Sequence, residues 1–333
     1  MTEAQRVGQL LMVDCPSTGA SDAALDAIAR YHVGSIILDG NSGLSVSQTR
    51  EVTDQLRRAS ADGVGLFVAT DQEGGTVQRL RGPGFDRIPS AVDQGQRPLD
   101  QLQQDATTWG RQMSAAGVNI DLAPVLDTVP PGGAPNPPIG DLDREFGHDP
   151  DVVSAHGLAV TAGLARAGVD STVKHFPGLG RVTGNTDTDG SVVDTVTTRH
   201  DAYLAPFAAA VAAGVPLVMV STAIYERIDP NRPAAFSPTI VTGMLRGDLG
   251  YRGVIISDDL GAADQVSGYT VGDRAVNFVA AGGDLVLTVD SSQAPTMTSA
   301  LLARAQADPG FRKQVDAAAL RILRAKLARG LLR

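Results

Sequence analysis

One cysteine, Cys15, stands in the whole chain of 333 residues, so no disulfide framework can form. It lies directly after an apolar run and reads as a small buried hydrophobe, not as a nucleophile or ligand. Histidine is scarce as well. The five present, His32, His148, His156, His175 and His200, include no H-x-x-x-H pair, which argues against a zinc site, and no metal or other cofactor is expected. No stretch reaches the roughly 18 consecutive apolar residues that a membrane-spanning helix needs. Nor is a signal segment visible, because Met1-Thr2-Glu3 runs straight into a helical pattern. The expected location is cytoplasmic if the sequence is complete, and the cell envelope or exterior if an export segment has been removed. Basic charge is also short. A formal net charge of −9 argues against nucleic acid and anionic membrane, both of which reward a basic face, and leaves a neutral small molecule as the better-matched partner.

What the chain has is core material and a regular alternation. With 43% hydrophobic and 20% charged residues it can bury a large core. Short β-branched runs at 10–14, 34–38, 65–70, 119–123, 171–174, 217–221, 253–257 and 285–289 predict eight strands. Most are too continuously apolar to alternate, as suits parallel strands covered on both faces. Between them, helical periodicity predicts helices over 21–31, 45–61, 102–116, 152–167, 202–213, 238–249 and 271–281, with a long helical region after 299. Many of these end at a glycine, including Gly117, Gly214 and Gly282, the usual left-handed helix stop. Eight βα units without a G-x-G-x-x-G turn predict an α/β fold of the (β/α)8 TIM-barrel type, not an open doubly wound sheet. No linker divides the chain, so residues 1–333 are expected to form one catalytic barrel domain and, lacking assembly signals, a monomer. Two long loops, 130–140 and 176–199, have no helical period and belong where functional loops occur.

Active sites of such barrels sit at the C-terminal ends of the strands. Six predicted strands end in polar residues: Asp71, Asp127, Lys174-His175, Ser221-Thr222, Asp258-Asp259 and Asp290. Any one could cap a helix; together they suggest a site. Serine hydrolysis lacks its G-x-S-x-G turn, and phosphate binding lacks a Walker-type loop. Carboxylate chemistry supported by Lys, His and Arg remains, which is the equipment of glycoside hydrolysis.

The motifs G-Q-L-L-M-V at 8–13, D-Q-E-G-G-T-V-Q-R at 71–79, A-P-V-L-D at 123–127, R-E-F-G at 144–147, K-H-F-P-G at 174–178 and I-S-D-D-L at 256–260 occur in one order along the chain. This set resembles glycoside hydrolase family 3, specifically its single-domain β-N-acetylhexosaminidases, the group that includes bacterial peptidoglycan-recycling N-acetylglucosaminidases. The resemblance implies a retaining enzyme that removes terminal β-linked N-acetylglucosamine from a carbohydrate substrate such as a peptidoglycan fragment. Asp258 matches the family's nucleophile, and Asp71, Arg79, Arg144, Lys174 and His175 match positions that hold the sugar hydroxyls and N-acetyl group. Asp127 and Asp259 match as structural residues that orient Lys174 or cap a helix, while Glu73 fits either role.

The sequence departs from that group at its acid/base. Where relatives carry K-H-F-P-G-H-G followed by D-S-H, this chain has Leu179 and then Asn185-Thr186-Asp187, and Thr222 stands at another position that is commonly His. Family β-glucosidases draw their acid/base from an added sandwich domain, for which this chain has no room. Asp187 is therefore the expected substitute acid, with Asp189 next, carried on a mobile loop that closes over the leaving oxygen. Two other outcomes stay open: a non-catalytic sugar-binding protein, and a β-N-acetylglucosaminide phosphorylase.

Overall fold

The computed structural model describes residues 1–60 and 63–332. Eight parallel strands form one sheet: Leu11–Pro16, Ser35–Asp39, Phe67–Thr70, Ile120–Asp121, Asp170–Phe176, Leu217–Val220, Val254–Ser257 and Val286–Thr288. Their bonded order follows the chain from first to seventh, and the eighth pairs back onto the first through Leu11–Val286 and Met12–Leu287. The last seam is bridged by Ile256 and Leu285, with the Ser257 N–H donating to Leu285 O at 3.0 Å. A closed (β/α)8 barrel results, with helices outside it. The third, sixth and seventh strands are buried along their whole length, which is why their sequences do not alternate.

Helix boundaries follow local chemistry. Asp22–Tyr31 starts where the Ser21 side chain accepts from Ala24 N–H, and Val46–Ala59 starts at a reciprocal Ser45–Gln48 capping box. The expected end of that second helix, at Ala61, lies outside the described residues. Val271–Ala281 stops at Gly282, whose φ of 106° is open to glycine and costly for other residues. The helical region expected after 299 begins earlier and is two helices, Ala294–Ala307 and Pro309–Ala328. Pro309 cannot continue the first, and Asp308 caps the second by accepting from the Gly310 and Phe311 N–H groups.

Two strand ends differ from expectation, both near the site. The fourth strand, expected over 119–123, is only Ile120–Asp121, because Pro124 has no N–H for the ladder. Pairing resumes as a bridge between Val125 and Lys174. The fifth strand runs past Lys174 to Phe176, so both Lys174 and His175 stand on the sheet and not on a loop.

At the opposite, N-terminal end of the barrel, Lys326 of the last helix is fully buried. Its Nζ donates to Gln9 Oε1 and Gly34 O, each at 2.7 Å, and sits 5.2 Å above the Phe67 ring. Burial without a carboxylate partner pushes its pKa down to about 7. The C-terminal helix thereby seals the bottom, leaving the top for chemistry.

Candidate active site

A cleft of about 340 Å³ opens at the C-terminal ends of the strands. Asp71, Arg79, Arg144, Lys174, His175, Asp187 and Asp258, all seven residues expected from the sequence, line it. Apolar walls come from Ile37, Leu122, Leu179, Met219 and Leu287.

One side of the floor is an ionic network. Lys174, 3% exposed, donates to Asp71 Oδ1 at 2.6 Å and pairs with Glu73 Oε1 at 2.7 Å. Glu73 also receives the Arg144 guanidinium as a two-point clamp, Nε to Oε2 at 2.8 Å and Nη2 to Oε1 at 2.7 Å. Burial opposes every charge here, but the opposite charges win. Arg144 and Lys174 hold the Glu73 carboxyl well below the usual range, and Asp71 and Glu73 hold Lys174 above its own. Beneath them, burial pushes Asp121 up to about 8, against a bond from Gln72 N–H at 3.0 Å and the pull of Lys174. Asp121 is thus mostly neutral at pH 7, and two anions balance two cations. Glu73, left open by the sequence, lies nine-tenths buried behind the cleft as the brace for Arg144 and Lys174. Arg79 is different: its Nε is buried without a hydrogen-bond partner and pairs only loosely with Asp39 Oδ1, at 3.6 Å.

Asp127 does not support Lys174, nor does it cap a helix. Its Oδ1 accepts from the N–H groups of His175 (3.1 Å) and Leu179 (2.9 Å), and its Oδ2 lies 2.7 Å from His175 Nδ1. The bond to Nδ1 fixes the ring and leaves Nε2 for the cleft. Not every polar strand end joins the site. Ser221 Oγ is bonded to the Tyr225 hydroxyl at 3.1 Å, Thr222 is fully buried, and Asp290 caps a short turn through Ser292 N–H. None of the three lines the cleft.

Asp258 follows the seventh strand, its N–H held by Val220 O at 2.9 Å and its Oδ1 accepting from the Asp259 N–H at 2.9 Å. Asp259 itself gathers the N–H groups of Gly261, Ala262, Ala263 and Val289, shaping the loop beyond. Asp187 lines the same cleft. Burial raises both the Asp187 and Asp258 pKa values, and the Asp258 charge raises Asp187 further. His175, the Asp259 N–H and Lys174 oppose the rise at Asp258, and His175 and Arg144 oppose it at Asp187. Each carboxyl thus favours its neutral form more than an exposed aspartate does.

The segment bearing Asp187 is irregular, as expected, but it is bonded down and does not stand free. Asn136 Nδ2 donates to Leu179 O and Val182 O at 2.8 Å each, while Thr186 O and Asp187 O accept from Gln265 and Asp264 N–H groups at 3.1 and 3.3 Å. Sequence reasoning missed Asn136, Gln265 and Asp121, which carry no spacing signal. Among the described residues no three His, Cys, Asp or Glu side chains converge to hold a metal ion.

Known proteins share this fold. The profile described as "Glycosyl hydrolase family 3 N terminal domain" matches residues 2–325. A β-hexosaminidase of Xylella fastidiosa (strain M23) is 35% identical over 262 residues, 76% of this chain and 75% of its own. One from Stenotrophomonas maltophilia (strain R551-3) is 32% identical over 286 residues, 84% and 82% of the two chains. The crystal structure of a β-N-acetylhexosaminidase from Beutenbergia cavernae DSM 12333 superposes with a TM-score of 0.97 at 51% identity, covering 98% of each chain. A family 3 β-N-acetylglucosaminidase from Paenibacillus sp. str. FPU-7 gives 0.91 at 32%, covering 99% of this chain and 63% of that one. A match over nearly the whole barrel, with an aspartate-lined cleft at its mouth, places the chain in glycoside hydrolase family 3.

Proposed function

We propose that this protein is a β-N-acetylhexosaminidase that works as a retaining exo-β-N-acetylglucosaminidase, with Asp258 as nucleophile and Asp187 as acid and base. The observation that carries the reading is a pair of carboxyls, Asp258 and Asp187, lining one cleft, both raised by burial, with the Asp258 charge raising Asp187 further and the charges of His175 and Lys174 opposing the rise at Asp258. In the first step the Asp258 carboxylate attacks the anomeric carbon. The electron pair of the breaking C1–O bond goes to the leaving oxygen, which takes the Asp187 proton, and a glycosyl ester on Asp258 remains. Water then attacks the same carbon, Asp187 receives its proton, and Asp258 departs as carboxylate. Asp71 accepts from sugar hydroxyls, and Arg79, Arg144, Lys174 and His175 donate to hydroxyl and acetyl oxygens. Two inversions at C1 give net retention. After the first step Asp187 is an anion facing the acceptor, which favours water over phosphate.

Peptidoglycan fragments with terminal N-acetylglucosamine are the natural substrate class in this reading, as the group resemblance suggests. The deciding assay is release of 4-nitrophenol from its β-N-acetylglucosaminide, with the β-glucoside as control and product anomers followed by NMR. Release should require the N-acetyl group, yield the β-anomer first, ignore added phosphate, and fall by at least about 10⁴-fold in Asp258→Asn. A near-native Asp258→Asn rate or an α-anomer as first product overturns the mechanism. Binding of N-acetylglucosamine with no turnover at all points to a sugar-binding protein.

A further inference from the structure

Gln265 lies outside every motif, yet it is nearly buried, with 6% of its surface exposed. Its side-chain amide pairs with one backbone residue in both directions: Val192 N–H donates to Oε1 at 2.8 Å and Nε2 donates to Val192 O at 3.3 Å. Its own N–H donates to Thr186 O, and the preceding N–H, of Asp264, donates to Asp187 O. Residues 264–265 therefore grip the acid-bearing loop on both sides of Asp187, at 186–187 and again at 192. Bonds inside the loop have a different effect. Asn185 Oδ1 accepts from Asp187 N–H at 3.0 Å, and Asn185 O accepts from Thr188 and Asp189 N–H groups, which sets the shape of the turn. The bonds to 264–265 set where that turn stands against the cleft.

The residues that grip belong to the loop of the nucleophile. Asp258 leads into Asp259, whose carboxylate organises the N–H groups of 261–263, and the turn Asp264–Val266 follows directly. We propose that Gln265 is a positioning residue that holds Asp187 at its working place opposite Asp258, so that one loop carries the nucleophile and locates the acid. This rests on Asp187 being the acid. It also replaces closure of a mobile loop by a docked one as the way the carboxyl is presented. A buried amide suits this role because it fixes two partners through short, directional bonds without bringing a third charge near the carboxyls.

The test compares hydrolysis of N,N′-diacetylchitobiose, a poor leaving group, with that of 2,4-dinitrophenyl β-N-acetylglucosaminide, whose aglycone needs no protonation. Gln265→Leu, Gln265→Glu and Asp187→Ala are assayed beside the wild type, each checked for folding by circular dichroism. Displacing the acid by about an ångström costs on the order of 10²-fold, so Gln265→Leu should lose about 10–100-fold on the disaccharide and under about threefold on the activated glycoside. The alkaline limb of its kcat/KM profile should move to lower pH, because a loosened Asp187 regains water. Gln265→Glu keeps the acceptor for Val192 N–H and should restore part of the disaccharide rate. Should Gln265→Leu not fold, Gln265→Glu decides by the same comparison, with a smaller but still leaving-group-dependent loss expected. Equal losses on the two substrates with an unmoved pH profile overturn the positioning role. If Asp187→Ala shows the leaving-group dependence and the Gln265 variants do not, only this inference falls; if Asp187→Ala does not show it either, the acid assignment falls with it.

Discussion

Replacing Glu73 by glutamine tests the ionic floor, because it keeps the shape and removes the one charge that both cations share. Glu73 Oε1 faces Lys174 and Arg144 at 2.7 Å, and Oε2 faces Arg144 Nε at 2.8 Å. The side chains of Glu73, Arg144 and Lys174 are 5%, 15% and 3% exposed, so water cannot replace what is lost. An amide in that place turns an NH₂ toward donors and leaves Asp71 as the single anion for Lys174. Breaking one partner out of a buried ion pair costs about 3–5 kcal/mol. A chain of this length has an unfolding entropy of about 0.7 kcal/mol/K, from about 2.1 cal/mol/K per residue, so the melting temperature should fall by about 4–7 °C. Differential scanning calorimetry at pH 7 reads this directly. Acid supplies a second check. The folded pKa of Glu73 lies below its ordinary value, so its stabilisation is complete above the ordinary glutamate pKa of about 4.3 and is lost as pH falls toward the folded value. The gap between wild type and Glu73→Gln should therefore narrow at about pH 3. A shift within about 1 °C at pH 7, or a gap that does not shrink in acid, refutes the claim that Glu73 braces the site by its charge.

Further tests address the other parts of the molecule. In the proposed mechanism Asp258 acts ionised and Asp187 protonated, so kcat/KM should fall both as pH drops through the first pKa and as it rises through the second. Because both are raised, both limbs should lie above the ordinary aspartate value of about 3.9, and Asp187→Ala should erase the alkaline one. Asp127→Asn turns an NH₂ toward the His175 and Leu179 donors and forfeits charge-assisted bonds of about 1.5–3 kcal/mol, so kcat/KM should drop about 10–100-fold; an unchanged value would show that the orientation of His175 does not matter. Lys326→Ala leaves a cavity and two unpaired acceptors at the far end of the barrel, a cost of at least about 3 kcal/mol. Its melting temperature should fall by about 4 °C or more while kcat stays the same. A fall in kcat at equal folded fraction would show that the two ends are linked.

The amino-acid sequence by itself determined the barrel and seven of the charged or titratable residues that line its cleft. Strand and helix periods are local properties, and a (β/α)8 barrel puts whatever follows each strand at one mouth, so Asp71, Lys174, His175 and Asp258 were legible from position alone. Arg79, Arg144 and Asp187 were legible from their motifs. Tertiary structure decided which polar strand ends face the cleft and which face the fold: Asp127 turned to His175, Ser221 to Tyr225, and Asp290 to its own turn. It also decided that Glu73 braces Arg144 and Lys174, and that Gln265 holds a loop 73 residues earlier at Val192. Such partners leave no period or spacing in the chain. A hydrogen bond needs only about 3 Å in space, and a closed barrel brings distant residues that near whatever their separation in sequence.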